Sequence, residues 1–186
     1  MSVLICGFDD SNHAGDGKGD IVAGVFSSYL EDSVVTRFKN RRDRELFRRW
    51  FSEHPQQKDY RFAALNDREL RKIQSNLPLV APALISDYLL SGGVEFDIAK
   101  LYFDGRLEGW HKEFLRDTFS GRFRKITIGS FVKKKHVHEC PTVIYIADIL
   151  AHDIYTSTYR EVINNEKRVA VDESRLLRIV NGGKYE

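Results

Sequence analysis

The chain opens with an apolar run, residues 2–8, closed by the polar stretch Asp9-Asp10-Ser11-Asn12. A run this short predicts a buried central strand rather than a helix. Glycine and aspartate then crowd residues 13–20, as a turn requires: glycine frees the backbone and aspartate offers local hydrogen bonds. Residues 21–30 and 33–38 read as two further strands, so the opening predicts a three-stranded meander. Over residues 41–53, Leu46, Phe47, Trp50 and Phe51 recur at helical spacing with arginines opposite, which predicts an amphipathic helix with a basic face.

Residues 60–65 form a short strand candidate, and Asp67 stands where it caps a helix over 67–74. Pro78 and Pro82 come early and Gly92-Gly93 late, predicting a helix over 82–91. These pieces make a helical insertion at about 66–93. A strand over 95–105 ends at Asp104-Gly105. A helix over 106–121 carries Leu107, Trp110, Phe114, Leu115 and Phe119 on one side and stops at Gly121. Residues 124–132, with alternating Ile126, Ile128 and Ser130, supply a fifth core strand. The last long element, a helix over 141–165 opened by Pro141, is apolar around most of its circumference and has to pack on the sheet. In the charged tail, residues 169–180 read as a short strand or helix, and Gly182-Gly183 as a fraying end.

The chain has 186 residues with 29 Lys+Arg against 27 Asp+Glu, 42% hydrophobic and 30% charged. That composition suits one compact domain spanning residues 1–186 and excludes a disordered or collagen-like chain. No apolar run approaches the roughly 18 residues of a membrane span. The opening strand lacks the basic start and long apolar stretch of a secretory leader, so a cytoplasmic protein is expected. Cys6 and Cys140, in apolar or proline-flanked settings, do not make a disulfide framework. High charge with a single methionine is compatible with a thermophilic source.

The near-zero net charge hides local asymmetry. Arg37, Lys39, Arg41, Arg42, Arg44, Arg48 and Arg49 outnumber Asp43 and Glu45, and a second basic run is Lys133-Lys134-Lys135-His136. Runs of this kind track a phosphate backbone. A homo-oligomer is compatible with the sequence, although no heptad or apolar stripe specifies its order.

Asp9 and Asp10 end the first strand, Asp104 ends a later one, and Asp148 sits in the apolar helix between Ile146-Ala147 and Ile149-Leu150. An aspartate in such surroundings is costly unless paired, hydrogen-bonded or bound to a metal. Converging carboxylates repel and raise one another's pKa unless a dication neutralises them. Without a histidine-cysteine framework, hard oxygen donors select Mg²⁺ or Mn²⁺. Two such ions about 4 Å apart activate water and stabilise the leaving oxygen in phosphodiester hydrolysis. Taken singly, Asp9 and Asp104 are ordinary turn formers and Asp148 a solvated helix residue; the apolar flanks of Asp148 weigh against that plainer reading.

His136, His138 and Cys140 alternate along the chain and could face a zinc ion, but no second ligand pair stands at motif spacing. The better functional reading is that Lys135, His136 or His138 contacts phosphate beside the carboxylates, with His138 a candidate for proton transfer, while the plainer reading, a solvated loop and an ordinary helix residue, is the one each histidine favours. His152 lies one turn after Asp148.

Together these pieces resemble the ribonuclease H-like superfamily, especially its type 2 ribonuclease H branch and uncharacterised relatives. The matching stretches are residues 5–11 (ICGFDDS) with the glycine-rich turn and residues 20–27 behind it, residues 101–107 (LYFDGRL) and residues 138–152 (HECPTVIYIADILAH). The resemblance implies an α/β fold, a ribonuclease H-like mixed five-stranded sheet flanked by helices. It implies Asp9, Asp104 and Asp148 as metal ligands, with Asp10 where the family often has glutamate. It does not extend over residues 37–93. Type 2 enzymes carry a Gly-Arg-Gly stretch after the first acidic pair, where this chain has residues 11–19 (SNHAGDGKG).

Selectivity for an RNA–DNA hybrid is therefore not specified, and single-stranded DNA or RNA trimmed from the 3′ end fits equally. The expectation is a Mg²⁺- or Mn²⁺-dependent nuclease with Asp9, Asp10, Asp104 and Asp148 at its centre. Lys133, Lys134, Lys135, His136, His138, Arg41 and Arg42 would hold the nucleic acid. The alternative is a catalytically inactive nucleic-acid-binding protein of the same fold. A phosphotransferase ranks lower, because no phosphate-binding loop of G-x-x-x-x-G-K-[ST] spacing is present.

Overall fold

The computed structural model describes residues 1–11, 20–28, 34–36, 45, 49, 52–53, 58–66, 77–132, 139–158 and 165–182. In chain order these give β1 (Val3–Asp10), β2 (Asp20–Ser27), β3 (Val34–Thr36), β4 (Lys58–Leu65), α1 (Leu77–Gly92), β5 (Ile98–Asp104), α2 (Gly109–Thr118), β6 (Lys125–Phe131), β7 (Glu139–Pro141), α3 (Thr142–Thr158) and α4 (Glu173–Val180). A five-stranded sheet runs β4-β2-β1-β5-β6. β2 is antiparallel to both β1 and β4, while β5 and β6 lie parallel to β1. This is the mixed five-stranded α/β architecture, flanked by helices, that the resemblance implied.

The third strand of the antiparallel half is not the segment over 33–38. β4 takes that place, paired with β2 over its full length from Asp20↔Leu65 to Ser27↔Lys58. β3 is only three residues long and pairs with β7 in a separate two-stranded sheet. β4 covers the flank of β2 with buried Phe62, Ala63 and Leu65.

β1 reads as an unbroken apolar run because both of its faces are covered. Leu4, Cys6 and Phe8 point into a core shared with Val22, Phe26, Leu101, Phe103, α1 and α2. Ile5 points the other way, into a core with Ala23, Val25, Phe62 and the buried face of α3. α1 starts five residues ahead of the predicted 82. Pro78 lies in its first turn, where a missing N–H is no loss, and Pro82 follows one turn later. α2 and β6 keep close to their predicted ranges, and α3 begins at Thr142, directly after β7. The predicted helix over 67–74 and the extension of the last long helix over 159–164 lie outside the described residues. So does most of the basic helix, although Glu45, Arg49 and Ser52 are helical.

The tail resolves as helix: Asp172 caps α4 by accepting from the Arg175 N–H at 3.0 Å. Just ahead of it, Arg168 bridges Phe62, and the Val169 N–H donates to the Phe62 carbonyl at 2.8 Å. Lys167 pairs with Asp59 at 2.7 Å. The returning chain thus covers the outer edge of β4. Nearby, Arg61, only 4% exposed, pairs with Asp59 of its own strand at 2.6 Å and joins β4 to α1 through Asp87 at 2.5 Å.

Candidate active site

The site is built at the carboxyl ends of β1 and β5. Phe8 and Phe103 are the last paired residues of these parallel strands, so Asp9 and Asp104 each stand one residue further on. Their backbones are adjacent strand ends, about 5 Å apart. Side-chain alternation sends Asp9 to the face of Ile5, and Asp104 to the face of Tyr102, both of which meet the α3 core. Asp10 falls on the opposite pleat, with Phe8. After Asp104 the chain turns at Gly105, which has φ 89° and donates its N–H to the Phe131 carbonyl at 2.8 Å.

Asp148 arrives from the other side of the chain because α3 lies unusually close to β1. A Cβ on Gly7 would stand 2.3 Å from the Val143 carbonyl carbon and 2.6 Å from the Ile144 nitrogen. Only glycine admits the helix backbone there. From Gly7 two strand residues lead to Asp9, a rise of about 6.6 Å. From Ile144 four helical residues lead to Asp148, about 6 Å. The matched distances bring Asp148 level with the end of β1.

The electrostatics report the same convergence. Asp9 is 5% exposed, and its pKa is pushed well above the usual carboxylate value, chiefly by burial and then by Asp104, Asp148 and Asp10. One interaction opposes this: Asp9 Oδ1 accepts the Asp10 N–H at 2.8 Å. Behind the pair, the strand ends are clamped together. The Ser11 N–H donates to the Ile21 carbonyl at 2.9 Å, Ser11 Oγ accepts from the Ile21 N–H at 3.0 Å, and the Ser11 hydroxyl donates to buried Asp20. This clamp fixes the register at which Asp9 leaves the sheet.

The donors are all carboxylates, the chemistry that suits a hard dication. Among the described residues, however, no three His, Cys, Asp or Glu side chains stand close enough together to hold one ion as placed. The strand ends converge, and Asp10, Asp104 and Asp148 are each partly exposed. Oxygen donors that are near one another and able to rotate fit a cation that neutralises them.

Of the other candidates, His152 is exposed on α3. Lys133, Lys134, Lys135, His136, His138, Arg41 and Arg42 lie outside the described residues. Cys140 is buried and unbridged. The sequence reading passed over Gly7, although a lone glycine inside an apolar strand is the usual sign of a close backbone approach. It also passed over Tyr102 and Phe131, which flank Asp104.

No described helix is long and apolar enough to cross a membrane. No family model matches the chain, and no curated protein matches it. Among solved structures, a chain of the PCNA:RNase HII complex from Archaeoglobus fulgidus is similar to it with a TM-score of 0.43 and 12% identity. The match covers 98% of this chain and 91% of that one. A likeness that distant assigns neither activity nor residue roles.

Proposed function

We propose that the protein is a nuclease that hydrolyses nucleic-acid phosphodiester bonds with Mg²⁺ or Mn²⁺. One observation supports the reading: Asp104 and Asp148, from distant segments, lie near enough to Asp9 at the carboxyl end of a parallel strand pair to add to the rise that burial gives its proton affinity. A folded protein keeps such a repulsive group when a cationic ligand or reaction uses it.

In this reading Asp9, Asp104 and Asp148 hold the cations. Bound there, the ions would activate a water and stabilise the departing oxygen of the phosphodiester. Asp9 is the fixed member, oriented by the Asp10 N–H. Asp104 and Asp148, being less buried, have room to turn toward a ligand. Asp10 supports the site through its backbone and its charge. The basic residues Lys133, Lys134, Lys135, His136, His138, Arg41 and Arg42 would hold the backbone of the substrate, single-stranded DNA or RNA cut from the 3′ end or a hybrid duplex.

The test is a panel of end-labelled single strands, duplexes and hybrids, incubated with Mg²⁺, Mn²⁺ or EDTA. Cleavage that EDTA stops, and that Asp104→Asn abolishes while binding persists, supports the reading. Full activity of Asp104→Asn in Mg²⁺ overturns it. Binding without product by the unaltered protein in either metal assigns the chain to the alternative, an inactive binder of the same fold.

A further inference from the structure

We propose that the open face of β5 and β6 beside Asp104 is a base-stacking subsite for one unpaired nucleic-acid strand. Phe131 and Tyr102 form its platform and Lys100 makes a phosphate contact further along. This deepens the nuclease reading and rests on it for the position of the scissile bond.

Strand alternation defines the face. Ala99, Leu101 and Phe103 of β5, and Ile126 and Ile128 of β6, turn toward the core under α1 and α2. Lys100, Tyr102 and Asp104, with Lys125, Thr127, Gly129 and Phe131, therefore share the opposite face. On that side α3 lies over β1 and β2 and reaches only the flank of β5. Among the described elements, no helix packs on β6 there.

An open face next to a carboxylate cluster would ordinarily be polar. Here it carries two aromatic rings, both only half-buried. Phe131 is the direct ladder partner of Asp104, and Tyr102 is the partner of Gly129. The pairing with glycine is what lets the Tyr102 ring lie across β6, since a Cβ at 129 would come 2.9 Å from Tyr102 Cδ1. The two rings meet edge to face, with centroids 5.8 Å apart at 75°. In that geometry the edge of one ring rests against one face of the other and the two rings do not stack on each other. Lys100 stands about 13 Å from Asp104 along β5, and Lys125 follows on the neighbouring strand. Positive charge thus lies at the far end of the platform, where a bound strand would leave the carboxylates. An unpaired strand is the occupant because stacking needs a free base face, and neighbouring base pairs occupy those faces in a duplex.

The test uses the full chain in EDTA, so that binding is read apart from cleavage. The probes are a single-stranded DNA and the matching RNA, each with one 2-aminopurine, and copies with an abasic position at that site. Binding should quench the 2-aminopurine. Phe131→Leu should weaken binding of the base-bearing strands about ten-fold and leave the abasic ones within about two-fold. Phe131→Tyr should bind like the unaltered protein. Lys100→Gln should lower the salt slope by about one, on all strands alike.

Equal effects of Phe131→Leu on base-bearing and abasic strands overturn the subsite, and so does unquenched 2-aminopurine in the unaltered protein, which needs no variant to fold. Either result leaves metal-dependent cleavage standing. Base-dependent binding with no cleavage of any strand supports the subsite and removes the catalytic reading instead.

Discussion

Gly7→Ala is the most informative single substitution, because its effect can be worked from one contact. The added methyl group would stand 2.3 Å from the Val143 carbonyl carbon, 2.4 Å from its oxygen and 2.6 Å from the Ile144 nitrogen, whereas ordinary contact begins at 3.4 Å. All three atoms belong to the backbone of α3, so no side chain can swing aside. The helix has to retreat from β1 by about 1 Å, or the strand has to bend. Overfilling a packed core costs about 1–3 kcal/mol, and here the displaced body is a whole helix, which favours the upper end. For a domain of this size about 3 kcal/mol lowers the melting midpoint by roughly 6–12 °C. The same retreat carries Asp148 away from Asp9, and a 1 Å misplacement in a catalytic site can remove about 100-fold of the rate. Thermal unfolding and a cleavage assay on the same preparation measure both. A folded Gly7→Ala protein with an unchanged midpoint would refute the close-approach argument. A lowered midpoint with undiminished cleavage would instead separate α3 from the chemistry.

Other expectations follow from the charged and capped positions. Asp9 binds its proton more tightly in the folded chain than in the unfolded one, so stability without metal falls as pH rises upward from the ordinary carboxylate value of 3.8. Asp9→Asn should flatten that fall and be the more stable protein at neutral pH in EDTA, as urea titrations across pH would show, while losing cleavage. Mg²⁺ or Mn²⁺ should raise the melting midpoint of the unaltered protein by mass action, and far less that of Asp9→Asn; equal shifts would place the ion elsewhere. His111 is buried and neutral, its Nδ1 accepting the Glu108 N–H at 3.0 Å to close the capping box of α2. Burial holds its pKa below 6.5 despite the nearby Glu108, so the unfolded chain takes up the proton first. Its contribution is present above 6.5 and is lost as pH falls, by at most about 1.4 kcal/mol per pH unit; His111→Gln should remove that component from the urea profile. Arg61→Met takes the guanidinium from Asp87 and from Asp59, of which Asp59 keeps Lys167. Because Asp87 is 44% exposed, we expect a loss of about 2–3 kcal/mol, somewhat under the fully buried case; a change below about 1 kcal/mol in denaturant would show the pairing to be solvated.

The strands that position the site were legible because their burial is two-sided. Residues 2–8 admit no reading but a short buried run, and Asp9 marks where the run meets polar surroundings. Asp148 stood out because aspartate is rare between Ile146-Ala147 and Ile149-Leu150. Partner choice was less legible. Val34–Thr36 and Lys58–Leu65 both have strand composition, and which one flanks β2 depends on pairing across a long connection rather than on local pattern. The aromatic platform was hidden for a related reason. Tyr102 and Phe131 look like core residues in a one-dimensional pattern, and only the register that sets Phe131 against Asp104 and Tyr102 against Gly129 puts them on the face beside the site, where Tyr102 also packs against the α3 core. The basic runs over 37–49 and 133–136 were plain in the sequence, but they lie almost wholly outside the described residues.

The seal on β4 also orders events during synthesis. Its outer edge is met at Phe62 by Arg168 and Val169, and at Asp59 by Lys167, residues translated roughly a hundred positions after the strand itself. At about 5–20 residues per second, the nascent chain carries that row of open amides and carbonyls for roughly 5–20 s. Ribosome stalling in this interval would leave a strand ready to pair with a neighbouring polypeptide.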